Sequence, residues 1–301
     1  MSPLTLRLFA LFVGAVVFGS PVHVFAEPRL AAPIEDVAKQ LLDDERPGPE
    51  RETLIQAHGG AAPELIAAMS RGLGDDLQEE YRRIPWIWRV AVAAGRRNDT
   101  AELRRMLDVS LPREGEQLTD WQAVVVGGGA VMGVSDAGAW PAERIPELLG
   151  DSADLKARWG AVVDLASAMA DHEPTNTGTR YDALRLIAVD GWTRRGEQLT
   201  RYLRKGTHAE LQMGAVSATA DVRDPAATQA LLNALPGLEE ENRKLALRGL
   251  MRTEDRQLAL LEAVRTGAFT ADLLDAPTRE ALRESRSPEI RELAAQILAV
   301  E

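Results

Sequence analysis

The sequence predicts an all-α protein, an α-solenoid in which short helical hairpins stack on one another. Three observations predict it. Apolar residues recur at helical spacing from Pro33 onward, and prolines stand repeatedly at the start of these apolar stretches. Alternating runs of β-branched residues are almost missing. In the C-terminal half an arginine is followed by an alanine three residues later and by an aliphatic residue four beyond that, and this pattern recurs.

The N-terminus has the pattern of a secretory signal peptide. Arg7 supplies the positive charge, an apolar stretch runs over residues 8–19, and Ala26 ends a segment with small residues at the positions that signal peptidase selects. We therefore expect a signal peptide over 1–26, cleavage after Ala26 and a secreted or periplasmic domain over 27–301. An uncleaved anchor or an N-terminal core helix is the alternative. The sequence from residue 27 onward contains no apolar stretch long enough to predict a membrane span.

Helix boundaries follow from caps and prolines. Asp224-Pro225 and Ser287-Pro288 each supply an N-cap followed by a proline at the first helical position. Applied along the chain, these signals predict helices over 33–45, 49–57, 63–72, 75–82, 85–96, 99–108, 119–134, 141–149, 152–171, 179–190, 195–205, 208–220, 225–235, 239–251, 254–266, 277–285 and 288–299.

Composition excludes several classes of function. The chain has 301 residues, with 35 Lys and Arg against 46 Asp and Glu, and the net charge of −11 argues against nucleic-acid binding. With no cysteine there are no disulfides, thiolate zinc sites, iron–sulfur clusters or cysteine nucleophiles. His58, His172 and His208 lack the spacing of metal ligands. We therefore predict no cofactor, no metal and no catalytic site.

The recurring arginine–alanine–aliphatic motif leads to a resemblance. It occurs as Arg180/Ala183/Ile187, as Arg243/Ala246/Leu250 and as Arg291/Ala294/Leu298. The last of these lies in Ser287 to Leu298, which resembles the second helix of a HEAT repeat. What this resemblance implies is a stack of HEAT/armadillo-like helical hairpins over 27–301.

A wider resemblance covers most of residues 50–301. The segments 81–97, 118–129, 178–182 and 211–217 are similar to the HEAT-like region of large secreted dehydrogenases from planctomycete-type bacteria. In that family the helical region lies between a β-propeller and a cytochrome c module, and this sequence has neither. The resemblance therefore implies the helical architecture and an exported location, and it does not imply the redox chemistry.

Three consecutive glycines, Gly127 to Gly129, follow the apolar run 123–126. This order is typical of dinucleotide-binding loops, but Met132 stands where that motif needs a small residue, and no βαβ pattern surrounds it. We favour a buried helix, apolar on every face, in which the glycines allow a neighbouring helix to approach closely.

The candidate binding residues fall in two segments. Tyr81, Arg82, Trp86, Trp88 and Arg89 combine the residue types that dominate protein interfaces, and the tryptophans belong either to the core or to an open surface.

The second segment is Arg180, Tyr181 and Asp182, which follows a Pro-Thr-Asn-Thr-Gly turn. Its charged side chains either orient a ligand or tie one repeat to the next.

These observations predict an exported, non-catalytic scaffold that binds a protein partner. By resemblance alone, an exported dehydrogenase is a candidate partner. Two alternatives stay open: a carbohydrate-binding or dehydrogenase-associated accessory protein that uses the Trp, Tyr and Arg side chains, and an enzyme whose site is assembled from several repeats.

Overall fold

A computed structural model describes residues 33–73 and 76–298. Within these ranges the protein is all-α, without a β-strand, as the sequence predicts. The predicted signal peptide, residues 1–26, lies outside the described residues, and so do the last residues of the predicted helix 288–299 beyond Leu298.

The first half of the described chain contains ten α-helices and one π-helix. Their bounds are α1 Ile34–Leu41, α2 Gly48–Ala57, α3 Ala62–Ser70, α4 Leu77–Arg97, α5 Thr100–Ser110, α6 Asp120–Ala123, the π-helix Val124–Val131, α7 Met132–Asp136, α8 Pro141–Leu149, α9 Ala153–Asp171 and α10 Thr177–Ile187.

The second half continues with α-helices of 8 to 12 residues. Their bounds are α11 Trp192–Tyr202, α12 Ala209–Ala220, α13 Pro225–Ala234, α14 Glu240–Leu250, α15 Glu254–Arg265, α16 Ala276–Arg283 and α17 Pro288–Leu298.

Helix α4 differs from the sequence prediction, which placed two helices over 75–82 and 85–96. The structure has one helix, with Asp76 capping its N-terminus and Pro85 in its interior. An interior proline removes one backbone hydrogen bond and costs about 3 kcal/mol. The apolar side chains that α4 buries after Pro85, among them Ile87 and Val90, offset that cost.

The three glycines lie in a buried helix, as we predicted, and this helix is a π-helix. A Cβ placed on Gly129 would come within 3.0 Å of Ala91 on α4, and one on Gly127 would come within 3.0 Å of the Asp182 backbone on α10. The residues 123–126 are helical and form no strand. The glycines therefore let two helices approach the π-helix backbone, and they do not form a dinucleotide-binding loop.

Helices that are distant in sequence pack side by side in a row. Helix α4 packs against the π-helix, the π-helix against α10, α10 against α12, and α12 against α14. Beside this row α11 contacts α13, α13 contacts α15, and α15 contacts α17. Each inner helix of the row thus packs against two neighbours.

The core consists of two clusters of buried apolar side chains. The first extends from Val37 to Ala227 and the second from Leu203 to Leu298. Tyr202, at the end of α11, packs against both clusters.

In the described ranges no single helix is long and apolar enough to cross a membrane. Residues 120–136 and 141–149 together have the length and composition for one, but the two stretches meet at an angle of 115°.

Candidate functional site

An open cavity of about 400 Å³ lies where α4, the π-helix with α7, α10 and α12 meet. We call it the Trp88 pocket. Its walls are mainly apolar, with a few polar groups. It is lined by Tyr81, Ile84, Pro85, Trp88, Val124, Met132, Asn176, Gly178, Thr179, Tyr181, Asp182, Glu210 and Met213.

Helix α4 forms one wall of the Trp88 pocket. Its lining residues have helical spacing: Ile84 and Pro85 come three and four residues after Tyr81, and Trp88 comes four and three residues after them. This spacing places all of them on one side of a helix. The helix continues through Pro85, so all four side chains belong to a single surface.

Glycines let the other side chains reach the pocket. A Cβ on Gly128 would come within 2.6 Å of the Trp88 ring and within 2.7 Å of the Asp182 Oδ1 atom. A Cβ on Gly214 of α12 would stand 3.1 Å from the Tyr181 ring. Any larger residue at position 128 would therefore displace the indole and the carboxyl group.

Asp182 places a buried carboxyl group in this pocket. Asp182 is 4% exposed, and its Oδ1 atom has no hydrogen-bond partner among the described residues. Burial raises the pKa of Asp182 well above its ordinary value; Arg185 opposes this rise and the Glu210 carboxylate adds to it. The neutral carboxyl form is therefore favoured, and it has unused hydrogen-bonding capacity.

A second carboxylate, that of Asp120, holds two of the lining side chains in place. Asp120 accepts hydrogen bonds through Oδ2 from the Tyr81 hydroxyl at 2.7 Å and from the Thr179 hydroxyl at 3.2 Å. Burial and the bond to Asp120 raise the pKa of Tyr81 to about 12, so its hydroxyl keeps the proton that it donates. These bonds join α4, α6 and α10 across 39 and 59 residues of sequence.

The structure brings four of the predicted binding residues together and separates the other four. Tyr81 and Trp88 from α4 share the pocket with Tyr181 and Asp182 from α10. Trp86 belongs to the core, because it is 8% exposed and the Arg51 guanidinium lies 3.9 Å from the centre of its ring.

The three remaining arginines do not line the pocket, and other groups hold their side chains. Arg82 pairs with Glu79 and donates to the Leu42 carbonyl at 2.8 Å. Arg89 donates to the Pro85 carbonyl at 2.8 Å and lies beside the Trp86 ring. Arg180 donates to the Ala170 carbonyl at 2.9 Å, so it ties α10 to α9 as a repeat-linking charge would.

Sequence reasoning missed most of the lining residues, among them all those from α7 and α12. Met213 and Glu210 come from α12 and Met132 from the start of α7. Met213 is 37% exposed, as is Tyr81 on the facing helix. Gly214, beside Met213, is the sequence signal that could have placed α12 against Tyr181.

A larger cavity of about 520 Å³ lies between α11 and α13. Its walls combine small or aliphatic side chains with the polar Gln229 and Asn233 and the positively charged Arg204 and Lys205. It contains neither an aromatic ring nor any of the predicted binding residues. Aromatic anchors and polar groups with unused hydrogen-bonding capacity favour specific recognition. The Trp88 pocket has both and is therefore the better candidate.

The three histidines weighed as metal ligands lie outside the Trp88 pocket. None of His58, His172 and His208 lines it, and in 33–73 and 76–298 no three His, Asp or Glu side chains form a group that could hold a metal ion.

No known family model matches the sequence, and comparison with curated proteins likewise finds no match.

Proposed function

We propose that residues 27–301 form an exported, non-catalytic scaffold, an α-solenoid of HEAT-like hairpins that binds a partner protein through the Trp88 pocket. The observation that carries the proposal is the pocket itself, an apolar-walled cavity with partly exposed Tyr81 and Met213 at its edge and a buried carboxyl group inside. The row of helices from α4 to α14 supports the solenoid, because each member packs against the next.

The chemistry of the pocket defines its occupant. Trp88, Tyr181 and Met213 would cover an apolar side chain, and buried aromatic contacts of this kind dominate binding energies at interfaces. Glu210 adds a carboxylate at the pocket, and the whole chain is acidic, with a net charge of −11. The expected partner segment therefore carries an apolar side chain flanked by Lys or Arg. Through the family resemblance, an exported dehydrogenase is the first partner to test.

A site-specific crosslink tests this proposal. A photoreactive amino acid replaces Met213 in one variant and Val109 in another; Val109 on α5 is equally exposed, at 39% against 37%, and lies away from the Trp88 pocket. The variants are exposed to the exported proteins of the producing cell, and the crosslinked partner is identified by mass spectrometry. We expect one partner to crosslink from position 213 and not from 109.

Affinity measurements with that purified partner give the second half of the test. Met213→Asp should weaken binding about tenfold or more, because it puts an unpaired carboxylate into the interface, and Val109→Asp should leave the affinity unchanged. Binding should also weaken as salt is added, because opposite charges attract the partner. Equal crosslinking from both positions, or equal effects of the two aspartates, would contradict the proposal.

A further inference from the structure

A second cavity, separate from the Trp88 pocket, is lined by arginines. Its volume is about 280 Å³, and it lies between α7, α10, α12 and α14. We call it the arginine pocket and define it by Ser135, Arg185, Asp221, Arg248 and Arg252. It shares α7, α10 and α12 with the Trp88 pocket, and its lining residues on these helices lie closer to their C-terminal ends.

The one buried carboxylate of the arginine pocket is fully engaged. Asp221 is 4% exposed and accepts from Arg185 Nη2 at 2.7 Å through one oxygen and from Arg252 Nη1 at 2.7 Å through the other. The Ser135 hydroxyl also donates to it. Both oxygens of Asp221 therefore already accept hydrogen bonds from arginines.

Positive charge exceeds negative charge around this carboxylate. Arg248 is exposed, lines the cavity and has no hydrogen bond or ion pair with any residue in the described part of the chain. The buried Nε of Arg185 also has no partner. At the rim, Asp136 is already paired with Arg96 at 2.9 Å.

A fourth arginine behind the cavity adds to the excess. The guanidinium of Arg256 is hydrogen-bonded only to the backbone carbonyls of Ala220, Gly249 and Val222. Burial and the like charge of Arg252 lower the pKa of Arg256 to about 10, against the opposing pull of Asp221.

Three arginines thus line the cavity against two carboxylates, Asp221 and the already paired Asp136, and Arg256 lies behind it, in a protein whose net charge is negative. Guanidinium groups bind carboxylate and phosphate oxygens through paired, charge-assisted hydrogen bonds. Trp140 supports such a role, because its ring stacks 3.9 Å from the Arg252 guanidinium and holds it in place at the edge of the cavity.

We propose that the arginine pocket binds a small dianionic oxyanion, with the guanidinium groups of Arg248 and Arg252 as its contacts. The excess of positive charge favours a dianion over a monoanion. Inorganic phosphate and succinate are the two probes, since one presents tetrahedral phosphate oxygens and the other two carboxylates. Acetate and chloride at equal ionic strength are the controls.

Calorimetric titration of the full chain at neutral pH tests the proposal. We expect phosphate or succinate to bind more tightly than acetate, and chloride to give no saturable signal. Arg248→Ala should weaken the binding about tenfold or more, since it removes a charged contact, and Arg248→Lys should recover part of the loss. Arg248 is exposed, so its replacement leaves the core intact.

The matched control is Arg286→Ala, which removes the same charge from an exposed position between α16 and α17. It should leave the affinity unchanged. The proposal is overturned if both dianions bind no better than acetate, or if Arg248→Ala and Arg286→Ala weaken binding equally. Saturable binding that is lost in Arg248→Ala alone supports it, and the tighter probe identifies the class of oxyanion.

Discussion

Asp182 differs from Glu102, another deeply buried carboxylate, in what surrounds it. Glu102, 2% exposed, is paired with Arg97 and accepts from the backbone N–H groups of Gly60 and Ala62. Burial alone would raise the pKa of Glu102, but these donors outweigh it and lower the pKa. Asp182 has no comparable set of donors, and its pKa is raised. The pocket thus keeps an unsatisfied carboxyl group where a ligand can use it.

This raised pKa makes the contribution of Asp182 to stability depend on pH. The neutral form is favoured in the folded chain, so its contribution is present below the ordinary pKa of an aspartate and is lost as the pH rises through the raised value. Asp182→Asn cannot ionise. We therefore expect its free energy of unfolding, relative to wild type, to increase from about pH 4 to about pH 8.

Urea denaturation across this range measures the difference, and the exposed Asp255→Asn serves as the control for replacing a carboxyl group by an amide. Parallel curves for Asp182→Asn and wild type would show that Asp182 ionises in the folded protein as it does in the unfolded chain.

At the scale of single elements, the π-helix depends on glycine for its packing. Gly129→Ala would place a methyl group against Ala91 and its backbone, which cannot move without shifting α4. Overpacking of this kind costs about 1–3 kcal/mol. Gly160→Ala is the matched control, because Gly160 lies exposed on α9 with no atom within 4 Å of the added Cβ. There the change should stabilise the protein by up to about 1 kcal/mol.

Denaturant midpoints of the two alanine variants should therefore shift in opposite directions. A loss of stability in both would mean that backbone conformation, and not the contact between the π-helix and α4, decides the effect of the substitution at position 129.

The same elements show what the sequence could predict. The helix over 119–134 and its close contacts were predictable, because three glycines in an apolar run indicate close packing. Its π form was not, since a segment that is apolar on every face has no periodicity to distinguish helix types. The joining of 75–82 to 85–96 was missed because proline statistics describe local cost and not the burial that offsets it.

The candidate site was predictable in part for a related reason. Aromatic residues beside charged ones identified Tyr81, Trp88, Tyr181 and Asp182. Helix α12 contributes Met213 to the pocket, but its sequence has no strong apolar periodicity to indicate the face that it exposes. Gly214 is its one local signal, and the packing of α12 against α10 shows that face.

At the scale of the whole described chain, the two clusters of buried side chains predict graded stability. In the proposed stack of hairpins each unit contacts its neighbours alone, so a local loss of packing should open nearby helices first. Leu250 on α14 is fully buried in the second cluster, and Leu107 on α5 is fully buried in the first. Truncating either leucine to alanine costs about 2–5 kcal/mol.

Native-state hydrogen exchange followed by mass spectrometry should separate the two variants. Leu250→Ala should speed amide exchange in α14 to α17 and leave α3 to α5 protected, while Leu107→Ala should do the reverse. The α4–π-helix contact should keep its protection in Leu250→Ala, because it belongs to the first cluster. If both variants instead lose protection uniformly from α1 to α17, the described chain unfolds as one cooperative unit, and the nearest-neighbour energetics of a solenoid do not apply to it.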